Sequence, residues 1–174
     1  MFERSTLPPL FSSNGTEVIP IERSKFNVGR DAEKRTCNGI VFDSVMEMRY
    51  YRDVVLPGVE SGAISSYELQ KPYTLQPKYT HDGKTVRAII YVADFYIEYA
   101  DGRVEVIDVK GAADSMAKCK RKMFWYVYPD LTYNWVTYVK KYGGWCDWDD
   151  VNQHRREEKR IRREHKEEED NGEE

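Results

Sequence analysis

The stretch YVADFYIEYADGRVEVIDVKG, from Tyr91 to Gly111, constrains this chain more than any other. Apolar and polar residues alternate through it, which reads as two half-buried strands around an Asp101-Gly102 turn. Each strand nevertheless carries an aspartate, Asp94 and Asp108, and Lys110 follows the second. Register decides whether the two acids meet. A two-residue loop sets Asp94 opposite Val109 and turns the acids to opposite faces, because side chains alternate along a strand. A three-residue loop of Ala100, Asp101 and Gly102 sets Asp94 directly opposite Asp108. It also places glycine at the left-handed position of a type I turn plus bulge, so this register is the one expected.

Carboxylates that face each other across a strand pair repel unless a cation lies between them. Carboxylate oxygens with open water positions suit Mg2+ or Mn2+. Lys110, two residues from Asp108, projects from the same face. An ammonium there can orient a nucleophilic water and stabilise charge on a phosphate. The plainer reading is a solvated strand end bearing a weak surface ion pair.

The chain has 174 residues, enough for one domain with tails. Residues 1–23, with Pro-Pro, Ser-Ser and Asn-Gly steps, read as a flexible N-terminal arm. Residues 24–146 read as the folded domain, and residues 147–174 as a charged C-terminal helix and tail. Within the domain, Asn38-Gly39 reads as a turn. Asp43 or Ser44 caps a first helix that Pro57-Gly58 ends. Residues 64–80, interrupted by prolines, read as an edge strand or loop. A second helix is expected from about Ala113 to Tyr128, stopped by Pro129, with Met116, Met123 and Val127 facing the sheet. TYNWVTYV then completes a strand–helix–strand unit.

Cys37, Cys119 and Cys146 are far apart and odd in number, so they read as reduced thiols of a cytoplasmic protein. No apolar run reaches the roughly 18–20 residues of a membrane span. The opening MFERSTLPPL lacks the order of a secretory signal. The three histidines are isolated and carry no expected chemistry, and Trp145 and Trp148 read as packing residues.

The segments ADF and VIDVKG resemble the PD-(D/E)XK nuclease motif, with Ala93-Asp94 where that motif has Pro-Asp and Asp108-Val109-Lys110 as its (D/E)xK. NGIVFDSVMEMRYY, ELQKPYTLQPKY, RAIIYVADF and DVKG…KCKRKMFWYVYPDL follow in the order of a phage and prophage family within that superfamily, one similar to Holliday-junction resolvases. The resemblance covers about residues 24–140. It implies an α/β (α+β) fold with a restriction-endonuclease-like core, a mixed central β-sheet flanked by helices. It also implies a Mg2+- or Mn2+-dependent endonuclease that cuts DNA, branched DNA in particular, as a homodimer in the cytoplasm of a bacterial host. A recombination exonuclease, a nicking nuclease or a non-catalytic DNA-binding accessory are the alternatives.

On this resemblance Asp94 and Asp108 are metal ligands, the carbonyl of Val109 is a further ligand, and Lys110 is the catalytic lysine. Glu47, in the first helix, is the candidate for the additional acid, both metal-binding and catalytic. Ser44-Val-Met-Glu47 is equally a capping box in which the glutamate bonds back to the helix start. An aspartate at 108 reaches less far than a glutamate, which brings the metal nearer the backbone.

Net charge is -3, so DNA contacts must come from local patches. From Lys110 to Lys141 seven Lys and Arg face two Asp and Glu. Lys118, Arg121 and Lys122 on the second helix are expected DNA contacts, with Arg87, and with Lys25 in a weaker patch alongside Arg30, Lys34 and Arg35. The run RREEKRIRRE interleaves basic with acidic residues and reads as ion pairing along a solvated helix.

Overall fold

The computed structural model describes residues 32–171. The arm over residues 1–23, with Lys25 and Arg30, lies outside the described residues. In chain order the elements are β1 (Thr36–Cys37), β2 (Ile40–Val41), α1 (Val45–Tyr50), a π-helical stretch (Tyr51–Val55) and α2 (Leu56–Glu60). There follow β3 (Ile64–Gln76), β4 (Tyr79–His81), β5 (Lys84–Val86), β6 (Ile89–Tyr99) and β7 (Val104–Val109). The chain continues through α3 (Ser115–Val127), β8 (Thr132–Val139), β9 (Gly144–Asp147) and α4 (Trp148–Asn171).

The central sheet has five strands in the order β3-β6-β7-β8-β9. All neighbours are antiparallel except β7 and β8, which α3 joins as a parallel strand–helix–strand unit. This is the expected α+β class, a mixed sheet flanked by helices. No described helix is long and apolar enough to cross a membrane.

Local chemistry explains most boundaries. Ser44 caps α1 and accepts from the Glu47 N–H at 3.1 Å. The first helix then runs past the expected stop at Pro57-Gly58. The Leu56 N–H reaches back five residues to the Tyr51 carbonyl, a wide π turn, so Pro57 enters the first turn of α2 where no N–H is needed. Gly58 permits close packing, since a Cβ there would lie 2.5 Å from Ile64 Cδ1. Asn38-Gly39 turns β1 into β2 as expected, with φ of 50° and 78°. Asp82-Gly83, with φ of 47° and 71°, does the same between β4 and β5. Residues 84–99 therefore split into two strands rather than forming one.

Two apolar layers sandwich the sheet. Phe42, Tyr50, Tyr51, Val55, Phe95, Ile97 and Ile107 pack beneath α1 and the π stretch. Tyr73, Tyr91, Ala93, Val106, Phe124 and Trp135 pack beneath α3. The strand β6 contributes to both. Tyr91 and Ala93 belong to the α3 layer, whereas Phe95 and Ile97 belong to the α1 layer, although all four are odd positions. Strict alternation would keep them on one face, so β6 changes face at Asp94. Its partner β3 does so opposite, where Gln70 takes a left-handed φ of 53°, with Leu69 on one layer and Tyr73 on the other. The ladder between β6 and β7 also stops there, at Phe95 opposite Ile107. The sheet forks at this point. β7 stays with β8, and the far half of β6 leaves with β3 as a ribbon over α3.

Candidate metal and catalytic site

The hairpin adopts the three-residue register. The Tyr99 N–H donates to the Arg103 carbonyl, the Gly102 N–H donates to the Tyr99 carbonyl, and Gly102 has φ 84°. One step beyond the last paired residues, Asp94 and Asp108 therefore meet at the fork. Asp94 completes the ladder with its side chain. Its Oδ2 accepts from the Val109 N–H at 2.7 Å, where a strand would present a carbonyl. Its Oδ1 faces Gln70 Nε2 at 3.5 Å.

Asp108 is 1% exposed, and its Oδ2 takes an ion pair from Lys110 with no other hydrogen-bonding partner among the described residues. Lys110 lies on the same face, with Nζ 5.7 Å from the centre of the Trp135 ring. Glu47 arrives from the first turn of α1 and is buried, its Oε2 without a hydrogen-bond partner among the described residues. The serine half of the capping box is therefore formed. Ser44 caps the Glu47 N–H, and one carboxylate oxygen of the same residue remains for another role.

The electrostatics tie these four residues together. Burial first, then the charges of Asp108 and Glu47, push the Asp94 carboxyl well above the usual carboxylate range, against Lys110 and the Val109 amide. Burial also pushes Glu47 up to about 7, with Asp43 and Asp108 adding to it and the Ser44 hydroxyl opposing. Burial works against the Lys110 ammonium, but Asp108, Asp94 and Glu47 outweigh it and hold its pKa above the ordinary lysine value.

Among the described residues no three of His, Cys, Asp and Glu stand placed to hold a metal ion, and Lys110 sits against Asp108 instead. The donor set still fits a hard divalent ion. It is oxygen only, it includes a buried orphan oxygen on Glu47, and its negative charge is under-compensated enough to favour bound protons. Asp94, Asp108 and Glu47 are the residues that would hold it, with the Val109 carbonyl following Asp108 in sequence.

A hydroxyl chain that the sequence did not single out lies in the layer below. Trp135 Nε1 donates to Tyr133 Oη at 2.5 Å, and Tyr133 donates to Tyr91. Burial, and then Asp108, push both phenols upward, so they remain neutral beside the acids. Gln70 was missed as well, because nothing in its residue type announces a left-handed strand position.

The basic candidates separate. Lys118 and Lys122 are exposed on α3, and Arg87 is exposed between β5 and β6. Arg121 is a correction: it is 8% exposed, not a free DNA contact. Its guanidinium lies 4.5 Å from the Trp125 ring and 4.3 Å from the Trp135 ring, and it pairs with Asp149 at 2.6 Å. It therefore fastens α4 to α3. Met116 and Val127 are exposed rather than facing the sheet, because the buried stripe runs through Arg121 and Phe124 with Ala117 and Tyr128 beside it.

A family model described as "Protein of unknown function (DUF1064)" matches residues 23–144, ending before α4. No curated protein matches the chain.

Proposed function

The chain belongs to the DUF1064 family, and from its site we propose a metal-dependent endodeoxyribonuclease that hydrolyses phosphodiester bonds. The observation that carries this reading is the meeting of Glu47, Asp94, Asp108 and Lys110 at the sheet fork. Three acids gathered in a partly buried place destabilise a fold unless a cation joins them. Held by Asp94, Asp108 and Glu47, Mg2+ or Mn2+ would lower the pKa of a water and neutralise phosphate charge. Lys110 stays protonated and supplies a fixed positive charge beside the scissile phosphate, where it positions the water or the leaving phosphate oxygens. The Val109 amide holds Asp94 in place, and the buried face of Asp108 limits its rotation. Exposed Lys118, Lys122 and Arg87 supply backbone contacts.

For the substrate we propose branched DNA in the host cytoplasm, cut by a homodimer whose two-fold axis supplies two sites for two symmetric incisions. The resemblance to junction resolvases in the sequence supports this choice.

The test is cleavage of a four-way junction and of a matched linear duplex with Mg2+, Mn2+ or EDTA. The junction should be cut with either metal and left intact in EDTA. Asp108→Asn should abolish cutting and keep DNA binding. Unchanged cutting by that variant would refute the assignment, whereas cutting of linear duplex alone would favour the exonuclease or nicking alternative.

A further inference from the structure

The helix α4 lies wholly outside the span matched by the family, and counted along the chain its seven Lys and Arg are nearly balanced by nine Asp and Glu. They do not balance around the helix. At about 100° per residue, Arg155, Arg156, Lys159, Arg162, Arg163 and Lys166 fall, with Arg160, within one arc of about 160°. Between Arg155 and Lys166 no acid falls in that arc, and Glu157, Glu158 and Glu164 lie outside it, whereas Asp149, Glu167 and Asp170 share its direction only towards the two ends of the helix.

The body of the protein orients this helix. Asp147 caps its start by accepting from the Asp149 and Asp150 N–H groups at 2.7 and 3.0 Å. Trp148 stands edge-on to Trp135 with centroids 5.2 Å apart, Val151 is buried, and Arg121 holds Asp149. Two turns further, Lys141 pairs with Glu158 from the acidic side. The acidic side is therefore neutralised partly by the body. On the basic side, Arg155, Arg156, Lys159 and Arg162 are exposed and make no ion pair among the described residues. Arg160, at the edge of the arc, pairs with Glu157 and Glu164, and Arg163 pairs with Glu167.

We infer that the basic face of α4 is a second nucleic-acid surface that grips the phosphate backbone of DNA away from the cleavage site. Charge complementarity selects this occupant. The cations form an unbroken row from Arg155 to Lys166, roughly 16 Å at 1.5 Å per residue. That length matches about five phosphates at roughly 3.4 Å per step of one strand. Arginine dominates the row, and its planar fork bonds phosphate oxygens two at a time. A lipid surface does not fit, because an interfacial helix needs an apolar face and Ile161 alone provides one beyond the first turns. The choice of DNA over RNA rests on the nuclease reading above.

The test is fluorescence anisotropy of a labelled duplex with the full chain in EDTA, where no cleavage intervenes. The variant Arg155→Gln/Arg156→Gln/Lys159→Gln/Arg162→Gln should bind at least 10-fold more weakly at 0.1 M salt. Its plot of log K against log salt should lose about 3.6 in slope, since each of the four phosphate contacts removed contributes about 0.9. The control Glu157→Gln/Glu164→Gln keeps the helix and should bind as tightly or more so. Poly-glutamate of matched charge should compete poorly. An unchanged affinity and slope in the basic-face variant, an equal loss in the control, or equal competition by poly-glutamate would overturn the inference. These outcomes are separate from failure of the nuclease reading, which would appear as intact binding without cleavage by the wild-type chain in metal.

Discussion

Glu47 makes the stability of the metal-free protein depend on pH in a direction opposite to that of a salt-bridged carboxylate. Its carboxyl rises from an ordinary 4.5 to about 7 in the folded state. Between these values the folded chain holds a proton that the unfolded chain has lost. Stability therefore falls as pH climbs from about 4.5, and the whole loss is present above about 7. At about 1.36 kcal/mol per pH unit, a shift of this size corresponds to about 3 kcal/mol. Asp94, raised well above its ordinary 3.8, acts in the same direction. Lys110, raised above its ordinary 10.5, stays charged in both states across this range and leaves the window unchanged. For a chain of this length about 3 kcal/mol is roughly 6–12 °C in Tm. Thermal melts in EDTA at pH 5 and pH 8 measure it, with Glu47→Gln as the reference. The isosteric amide cannot titrate, so the wild-type chain should lose about that much more Tm than the variant between the two pH values. Mn2+ should then raise the wild-type Tm more at pH 8 than at pH 5, since bound protons must leave before the oxygens can coordinate. Parallel pH profiles for wild type and Glu47→Gln would refute the reasoning, because Glu47 would then be no more strained than a surface acid.

Arg121→Met keeps the aliphatic stem but removes two ring contacts and the Asp149 pair, so it should cost about 2 kcal/mol in chemical denaturation while leaving the salt slope of DNA binding unchanged. A reduced slope would return Arg121 to the DNA interface. Gly58→Ala drives a methyl against the tip of Ile64 and should destabilise by about 1–3 kcal/mol. Ile64→Val removes the clashing Cδ1, so the double variant should be more stable than the sum of the two single losses, and strict additivity would show that the contact relaxes freely.

The parts of the fold that were legible obey short-range rules. Gly102 at the third loop position selects the hairpin register, and the register brings Asp94 to Asp108. Ser44 caps its helix, and Pro72 confines β3 to a sheet edge. What escaped depends on contacts distant in sequence. A charged residue at a helical position reads as solvent-facing, so Arg121 between two indoles could not be anticipated. The spacing of Met116, Met123 and Val127 predicts the apolar stripe of α3, whereas aromatic packing from Tyr73, Tyr91 and Tyr133 centres it on Phe124 and leaves only Met123 of the three against the core. The strand β9 is a four-residue pairing with β8, too short to stand out from its neighbours. The one-sided charge of α4 emerges only on helical projection, because along the chain its basic and acidic residues interleave.

The fork itself joins fold and site. Alternation along β6 breaks at Asp94, and the left-handed Gln70 opposite it is a costly backbone choice for a non-glycine residue. Neither departure helps a sheet whose only task is to be stable; a continuous ladder would pair Val109 with a backbone carbonyl and keep both strands on one layer. Here the Asp94 carboxylate takes that hydrogen bond through Oδ2, which leaves Oδ1 outside the ladder and the acids of two strands and one helix within reach of each other. Phe95 and Ala93, buried in opposite layers on either side, hold the crossover in place. The same side chain thus ends the ladder and opens the site. The local rules fail together at the one place where the chain gathers its acids, which is where a folded protein that gives up stability for chemistry is expected to break them.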